Sequence, residues 1–207
     1  MSARGRLITI EGVDGAGKTT LATGLRDALR GRGIEAELLR EPGGVELSER
    51  LREVVKDPGL TVSAEAEALI CAAARAQLVI EAVVPRLERG TWVILDRFVD
   101  SSLAYQGAGR GLGVEAVREL NRVATGSVVP DRTLLLVLPR DLARSRATER
   151  SGVPDRLERE AESFFTRVAD GYEQIAAAEP GRVRRLSADR PPQDVLESAL
   201  RELEDLL

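Results

Sequence analysis

Short apolar runs recur along the chain, and between them the apolar positions spread to a helical spacing. The first run, residues 6–11 (RLITIE), is rich in β-branched residues and ends at glycine, which predicts a strand. Residues 18–30 place Leu21, Leu25, Ala28 and Leu29 on one helical face and stop at the Gly-Arg-Gly of 31–33. A second strand follows over 34–39, broken by Glu-Pro-Gly-Gly at 41–44, and a short helix over 46–55. Residues 63–89 predict a long alanine-rich helix bent near Pro85. The pattern then gives a strand over 91–96, a helix over 114–124, a strand over 132–138 and a helix over 140–150. It closes with a helix over 158–178, a modest edge strand over 182–188 and a helix over 191–207 with proline in its first turn.

Short apolar strands alternating with helices predict a parallel sheet covered on both faces. Repeats, low-complexity segments and linkers are absent, so residues 1–207 are expected to form a single domain.

Composition narrows the chemistry. A formal charge of −4 argues against a basic nucleic-acid binder. The chain has no histidine, which removes histidine bases, histidine metal ligands and Ser-His-Asp triads together. One cysteine, Cys71, allows neither an internal disulfide nor a cysteine metal site and fits a reducing compartment. No apolar run approaches the roughly 20 residues expected to be needed to span a bilayer. The N-terminus lacks a signal-peptide pattern, so a cytoplasmic protein without membrane contact is expected. Of the 30 basic residues only Lys18 and Lys56 are lysine.

Lys18 lies in GVDGAGKT, residues 12–19, which fits the phosphate-loop pattern G-x-x-x-x-G-K-[ST]. Gly12, Val13, Asp14, Gly15, Ala16 and Gly17 turn backbone N–H groups toward phosphate oxygens. Lys18 reaches the outer phosphates, Thr19 helps hold Mg²⁺, and the helix that carries Thr20 adds its N-terminal partial charge. A strand before and a helix after give the loop its required context. The N-K-x-D base-reading motif of GTPases is missing, and the chain is too short for the partner domains of a large ATPase.

Three other stretches hold polar and charged side chains outside core positions: 39–44, 95–111 and 144–160. The first two follow strands, and ligands in such sheets sit at the strands' carboxyl ends, so both loops should meet the phosphate loop. Arg97 is suited to clamp a phosphate with two hydrogen bonds, or to form a structural ion pair with Asp96. Asp96 either holds Mg²⁺ through water or orients Arg97. The segment 144–160 has five arginines around a Gly-Val-Pro break. It is either a solvated helix face or a mobile flap that neutralises phosphoryl-transfer charge.

These motifs, in the order EGVDGAGKTT, REPGG, AAARAQL, DRF-x-x-SS-x-AYQG-x-GRG, PDRTLLL and DRLE, resemble bacterial thymidylate kinases along essentially the whole chain. The resemblance implies a three-layer P-loop kinase fold with a five-stranded parallel sheet and an arginine-rich lid. It implies transfer of phosphate from ATP to dTMP with Mg²⁺, giving dTDP for dTTP synthesis, by a homodimer. It assigns Asp14 to the sugar 3′-hydroxyl, Arg97 to the acceptor phosphate and Arg75 to the thymine O4 edge. Tyr105 packs under the sugar, and Ser101, Ser102 and Gln106 lie near the base. Glu41, Pro42 and Cys71 complete the acceptor pocket. Arg146, Arg150 and Arg156 become lid arginines over the ATP phosphates.

The chain departs from the resemblance at Cys71, where many relatives have a phenylalanine that stacks on the base, and Phe98 is the nearest aromatic in sequence. Val45 and Val137 replace a threonine and an aspartate common in relatives. The departure at Cys71 keeps open a kinase for another nucleoside monophosphate or deoxynucleoside. A non-catalytic nucleotide-binding module is a third reading, against which the arginine-rich segment and the DRF motif both count.

Overall fold

A computed structural model describes residues 4–148 and 155–207. Five strands form one parallel sheet: β1 (Leu7–Glu11), β2 (Ala36–Arg40), β3 (Trp92–Asp96), β4 (Arg132–Val137) and β5 (Val183–Ser187), in the order β2-β3-β1-β4-β5. The central strand β1 is buried throughout, which explains its unbroken apolar run. Successive residues point to opposite layers. Ile8, Ile10, Ile94, Leu134 and Leu136 pack with Leu21, Leu25 and Leu29 of α1 (Lys18–Gly31) and with Val195 and Ala199 of α9 (Pro192–Arg201). On the other face Leu7, Val93 and Leu95 meet Leu78, Val83 and Leu87. Leu135 and Val183 on that face meet Leu103, Phe164 and Val168. The result is the three-layer α/β arrangement that the alternating pattern predicts.

The expected helix over 63–89 is present as α3 (Ala64–Leu78), a π turn (Val79–Val83) and α4 (Val84–Glu88). Ser63 caps it, accepting the N–H of Ala66 at 3.2 Å. Pro85 has no N–H to continue the α ladder, and the turn before it widens, with Val84 N–H bonding to the Val79 carbonyl. By length and mean hydropathy of 1.6, Ala64–Glu88 is long and apolar enough to cross a bilayer, yet half of that window is buried in the fold. It is a core helix whose Glu67 and Arg75 are ion-paired.

Three boundaries move. The second strand begins at Ala36, not 34, because Ile34 N–H bonds back to Leu29 O and completes the end of α1. The helix expected from 158 is α8, Glu162–Ala178. Ahead of it Asp155 accepts the N–H groups of Leu157 and Glu158 and holds a turn instead. The stretch after β3, expected as a loop, is α5 (Val99–Ser102) running into a π-helical segment, Leu103–Gly109. Glycines let it pack: a Cβ on its Gly109 would stand 2.7 Å from the Phe164 ring, and one on Gly171 of α8 would stand 2.8 Å from Ala108 Cβ. The helix expected over 140–150 is α7, described as Arg140–Thr148. Arg150 and the Gly-Val-Pro break lie outside the described residues.

Candidate active site

The carboxyl ends of β1, β2 and β3 open into a cleft of about 1200 Å³. Asp14 to Thr20 form its floor. Gly12 is required twice over: its φ is +137°, and a Cβ there would meet Leu136 O at 2.7 Å. Gly17 takes φ 91° as the N-cap of α1, whose first turn presents Lys18 and Thr19. Lys18 is buried, with Nζ donating to Val13 O at 2.8 Å and standing 3.9 Å from Asp14 Oδ1. Burial, then the Arg97 charge, lower its ammonium to about 8 against the pull of Asp14 and Asp96. Thr19 Oγ1 donates to Asp96 Oδ2 at 2.6 Å.

Arg97 occupies the centre. It follows β3 with φ 74°, a left-handed conformation that costs a non-glycine residue roughly 1–3 kcal/mol. The surroundings hold it there: its N–H bonds to Ile10 O at 3.0 Å. Nη2 donates to Asp14 Oδ1 at 2.7 Å and Tyr105 Oη at 3.2 Å. Nη1 donates to Ser101 Oγ at 3.1 Å and the Gly12 carbonyl at 3.3 Å. The guanidinium lies 5.0 Å from the Tyr105 ring centre. Burial works to raise the Asp14 carboxyl, but Arg97 and Lys18 outweigh it and hold Asp14 well below the usual carboxylate range.

Beneath Arg97 lies Glu11, which the sequence reading passed over. It ends β1 fully buried and accepts from Phe98 N–H at 2.7 Å, Ser101 Oγ at 2.6 Å and Tyr172 Oη at 3.0 Å. Burial, then the Asp100 charge, push its carboxyl up to about 7 against these hydrogen bonds. Glu11 thus pins the turn from Phe98 to Ser101 that directly follows Arg97. A charged residue closing an apolar strand, directly before the glycines, was the available signal. Tyr172 had none, since its partner is 161 residues away in sequence.

The acceptor-side wall is built on Arg75. Its guanidinium donates to Glu41 Oε2 at 2.7 Å, Ser102 Oγ at 2.9 Å, the Phe98 carbonyl at 2.8 Å and Asn121 Oδ1. Asn121 is a second residue that sequence reasoning missed. Glu41, Pro42, Cys71, Arg75, Ser101, Ser102, Tyr105 and Gln106 all line the cleft. Glu41 Oε1 is buried and finds no hydrogen-bond partner among the described residues. Cys71 is half-buried at the cleft, and burial pushes its thiol up to about 12. Phe98 does not stand in for the missing aromatic: it is 1% exposed, in the core with Leu7 and Val93 and under the Arg75 guanidinium.

The arginine-rich segment reaches both walls. Arg146 lines the cleft near the end of β5 and donates to Ala188 O at 2.9 Å. Arg156 is not brought to the phosphate loop as expected of a lid arginine. Its Nη2 pairs with Glu67 at 2.7 Å and its Nε donates to Val55 O at 2.9 Å. A buried carboxylate on α3 outcompetes the cleft for this guanidinium. Glu67 also takes Arg110 at 2.8 Å and Gln106 Nε2 at 3.0 Å.

Similarity to known proteins follows the same lines. The sequence model of the family described as thymidylate kinase matches residues 10–199. The chain is 45% identical over 205 residues to a thymidylate kinase of Alkalilimnicola ehrlichii, covering 99% of this chain and 93% of the relative. It is 47% identical over 187 residues to one from Methylococcus capsulatus, covering 90% and 89%. It is 46% identical over 198 residues to one from Deinococcus radiodurans, covering 96% and 95%. A phosphate loop facing a strained arginine, on a parallel sheet of this order and with full-length similarity of this degree, leaves one assignment: the chain belongs to the thymidylate kinase family, with its α/β P-loop kinase fold.

Proposed function

We propose that the chain transfers the γ-phosphoryl group of ATP to dTMP, giving dTDP and ADP. The observation that carries this reading is the meeting of the phosphate loop with Arg97: Asp14 and Arg97 stand 2.7 Å apart on facing sides of one cleft. Donor phosphates bound over Lys18 and an acceptor phosphate bound at Arg97 are then held for in-line transfer. The acceptor phosphate is itself the nucleophile, since its second pKa is about 6, so no histidine base is needed. Asp14, accepting from Arg97 and Tyr105, is an ionised acceptor for the sugar hydroxyl. Arg146, and Arg150 beyond the described residues, serve as the donor-side arginines. Arg156 acts through Glu67 on the acceptor side.

Thr19 Oγ1 and Asp96 Oδ2 supply two hard oxygen atoms beside Lys18, a donor set that fits Mg²⁺. Among the described residues no larger acidic cluster gathers, in keeping with a cation whose remaining ligands are phosphates and water. Bound there, Mg²⁺ would neutralise charge on the donor phosphates.

Two coarser features complete the reading. Leu69 and Ile80 are 57% and 72% exposed and share one face of Ala64–Glu88, which supports a homodimer packed through this helix. A free Cys71 supports a reducing, cytoplasmic setting. The direct test is transfer of label from γ-labelled ATP. Label in dTDP, lost in Lys18→Ala, supports the reading; label only in inorganic phosphate refutes it.

A further inference from the structure

Glu67 lies outside the cleft lining, yet it is fully buried and binds three side chains from two separate segments. Arg110 gives it two hydrogen bonds, at 2.8 and 3.2 Å, and Arg156 gives one at 2.7 Å. Gln106 Nε2 gives another at 3.0 Å. Charge balance does not require the last: Arg110 and Arg156 already face Glu67 and Glu160. What the Gln106 bond does is fix an amide. Burial acts to raise the Glu67 carboxyl, but bonds from Arg110, Gln106 and Arg156 keep it below the usual range, so it is ionised and accepts only. Gln106 must therefore offer it the NH₂ end.

We propose that Glu67 is a positioning residue for acceptor-base selectivity: it commits the Gln106 amide nitrogen to the wall and leaves the Gln106 carbonyl oxygen to the base. Gln106 is 4% exposed and lines the cleft beside Cys71, Arg75 and Tyr105. A carbonyl oxygen there accepts from a pyrimidine whose ring N3 carries hydrogen, the thymine and uracil type. It repels the bare N3 lone pair of the cytosine type, which would leave two buried acceptors facing each other. With Cys71 providing no stacking platform, polar readout of this edge carries more of the discrimination. Arg156 extends the device, tying the returning end of the arginine-rich segment to the same carboxylate.

The inference rests on the dTMP reading above. Its test compares kcat/KM for dTMP and dCMP in wild type, Glu67→Gln, Gln106→Met and the double variant. A glutamine at 67 can present either end of its amide, so Gln106 is free to turn over. The dTMP preference should fall about tenfold in E67Q, by the loss of one buried hydrogen-bond preference. It should fall similarly in Q106M, and E67Q should change it no further in the Q106M background. A purely structural Glu67 would lower activity toward both acceptors and leave the ratio alone. Q106M keeps every arginine pair of Glu67, so it carries the test if E67Q does not fold. An unchanged ratio in Q106M, or in folded E67Q, overturns the inference and leaves the dTMP reading standing. A wild type that phosphorylates neither acceptor overturns both.

Discussion

Arg97 and Asp14 meet at 2.7 Å, one from the turn after β3 and the other from inside the phosphate loop. Neither position is comfortable alone. Arg97 holds a left-handed backbone, and Asp14 is buried, a cost to its charge that Arg97 and Lys18 offset. Together they join the two halves of the cleft, so that the group proposed to grip the acceptor phosphate is registered against the donor loop.

Replacing Arg97 by lysine keeps the charge but loses the planar fork that spans Asp14, Ser101 and Tyr105. An Arg97→Lys variant should fold and lose about 100-fold or more in kcat/KM for the acceptor. Steady-state kinetics with dTMP as the varied substrate checks this, and undiminished turnover would remove Arg97 from the site.

Lys18 predicts a pH dependence. Its ammonium is lowered to about 8 in the free protein, so it loses charge as pH rises through that value. Bound triphosphate favours the charged form and raises the value again. ATP affinity should therefore be flat below pH 8 and fall above it, and binding near pH 9 should take up a proton. Calorimetry in buffers of different ionisation heat reads that uptake directly.

Cys71 lines the cleft beside Arg75 and Gln106, on the side proposed to hold the base. Cys71→Phe should lower the acceptor KM by about tenfold, since base stacking on an aromatic is worth about 1–3 kcal/mol. The ATP KM should not move. A raised acceptor KM would mean that the cleft at 71 is already filled by the base.

Gly171 of α8 lets that helix approach the π segment closely, and an added Cβ would stand 2.8 Å from Ala108 Cβ and 3.3 Å from the Ala104 backbone. Gly171→Ala gains helix propensity yet should destabilise by about 1–3 kcal/mol through overpacking. Because Ala104 and Ala108 flank Tyr105 and Gln106, acceptor KM should rise as well. Chemical denaturation checks the first effect.

Much of this was legible in the chain because it depends on local pattern. The apolar runs, the glycines of 12–17 and the arginine after β3 announce strands, loop and clamp without tertiary information. The misreadings share one cause. Gly107 and Gly109 resemble chain breakers, but they are small because helices press on them. Arg156 resembles a free lid cation, but a buried carboxylate 89 positions away claims it. Tyr172 and Asn121 act through partners distant in sequence, and no local pattern marks them; Glu11 shows only as a charge closing an apolar strand.

A cleft that phosphorylates a thymidine monophosphate should show it in its choice of acceptor. The decisive measurement is ADP release when the protein is given ATP and Mg²⁺ with dTMP, dUMP, dCMP, dGMP, UMP, AMP or thymidine in turn. Turnover should be fastest by far with dTMP, and thymidine, which brings no phosphate for Arg97, should give none. Faster turnover of a purine or cytosine nucleotide, or silence with every acceptor, would contradict the dTMP reading.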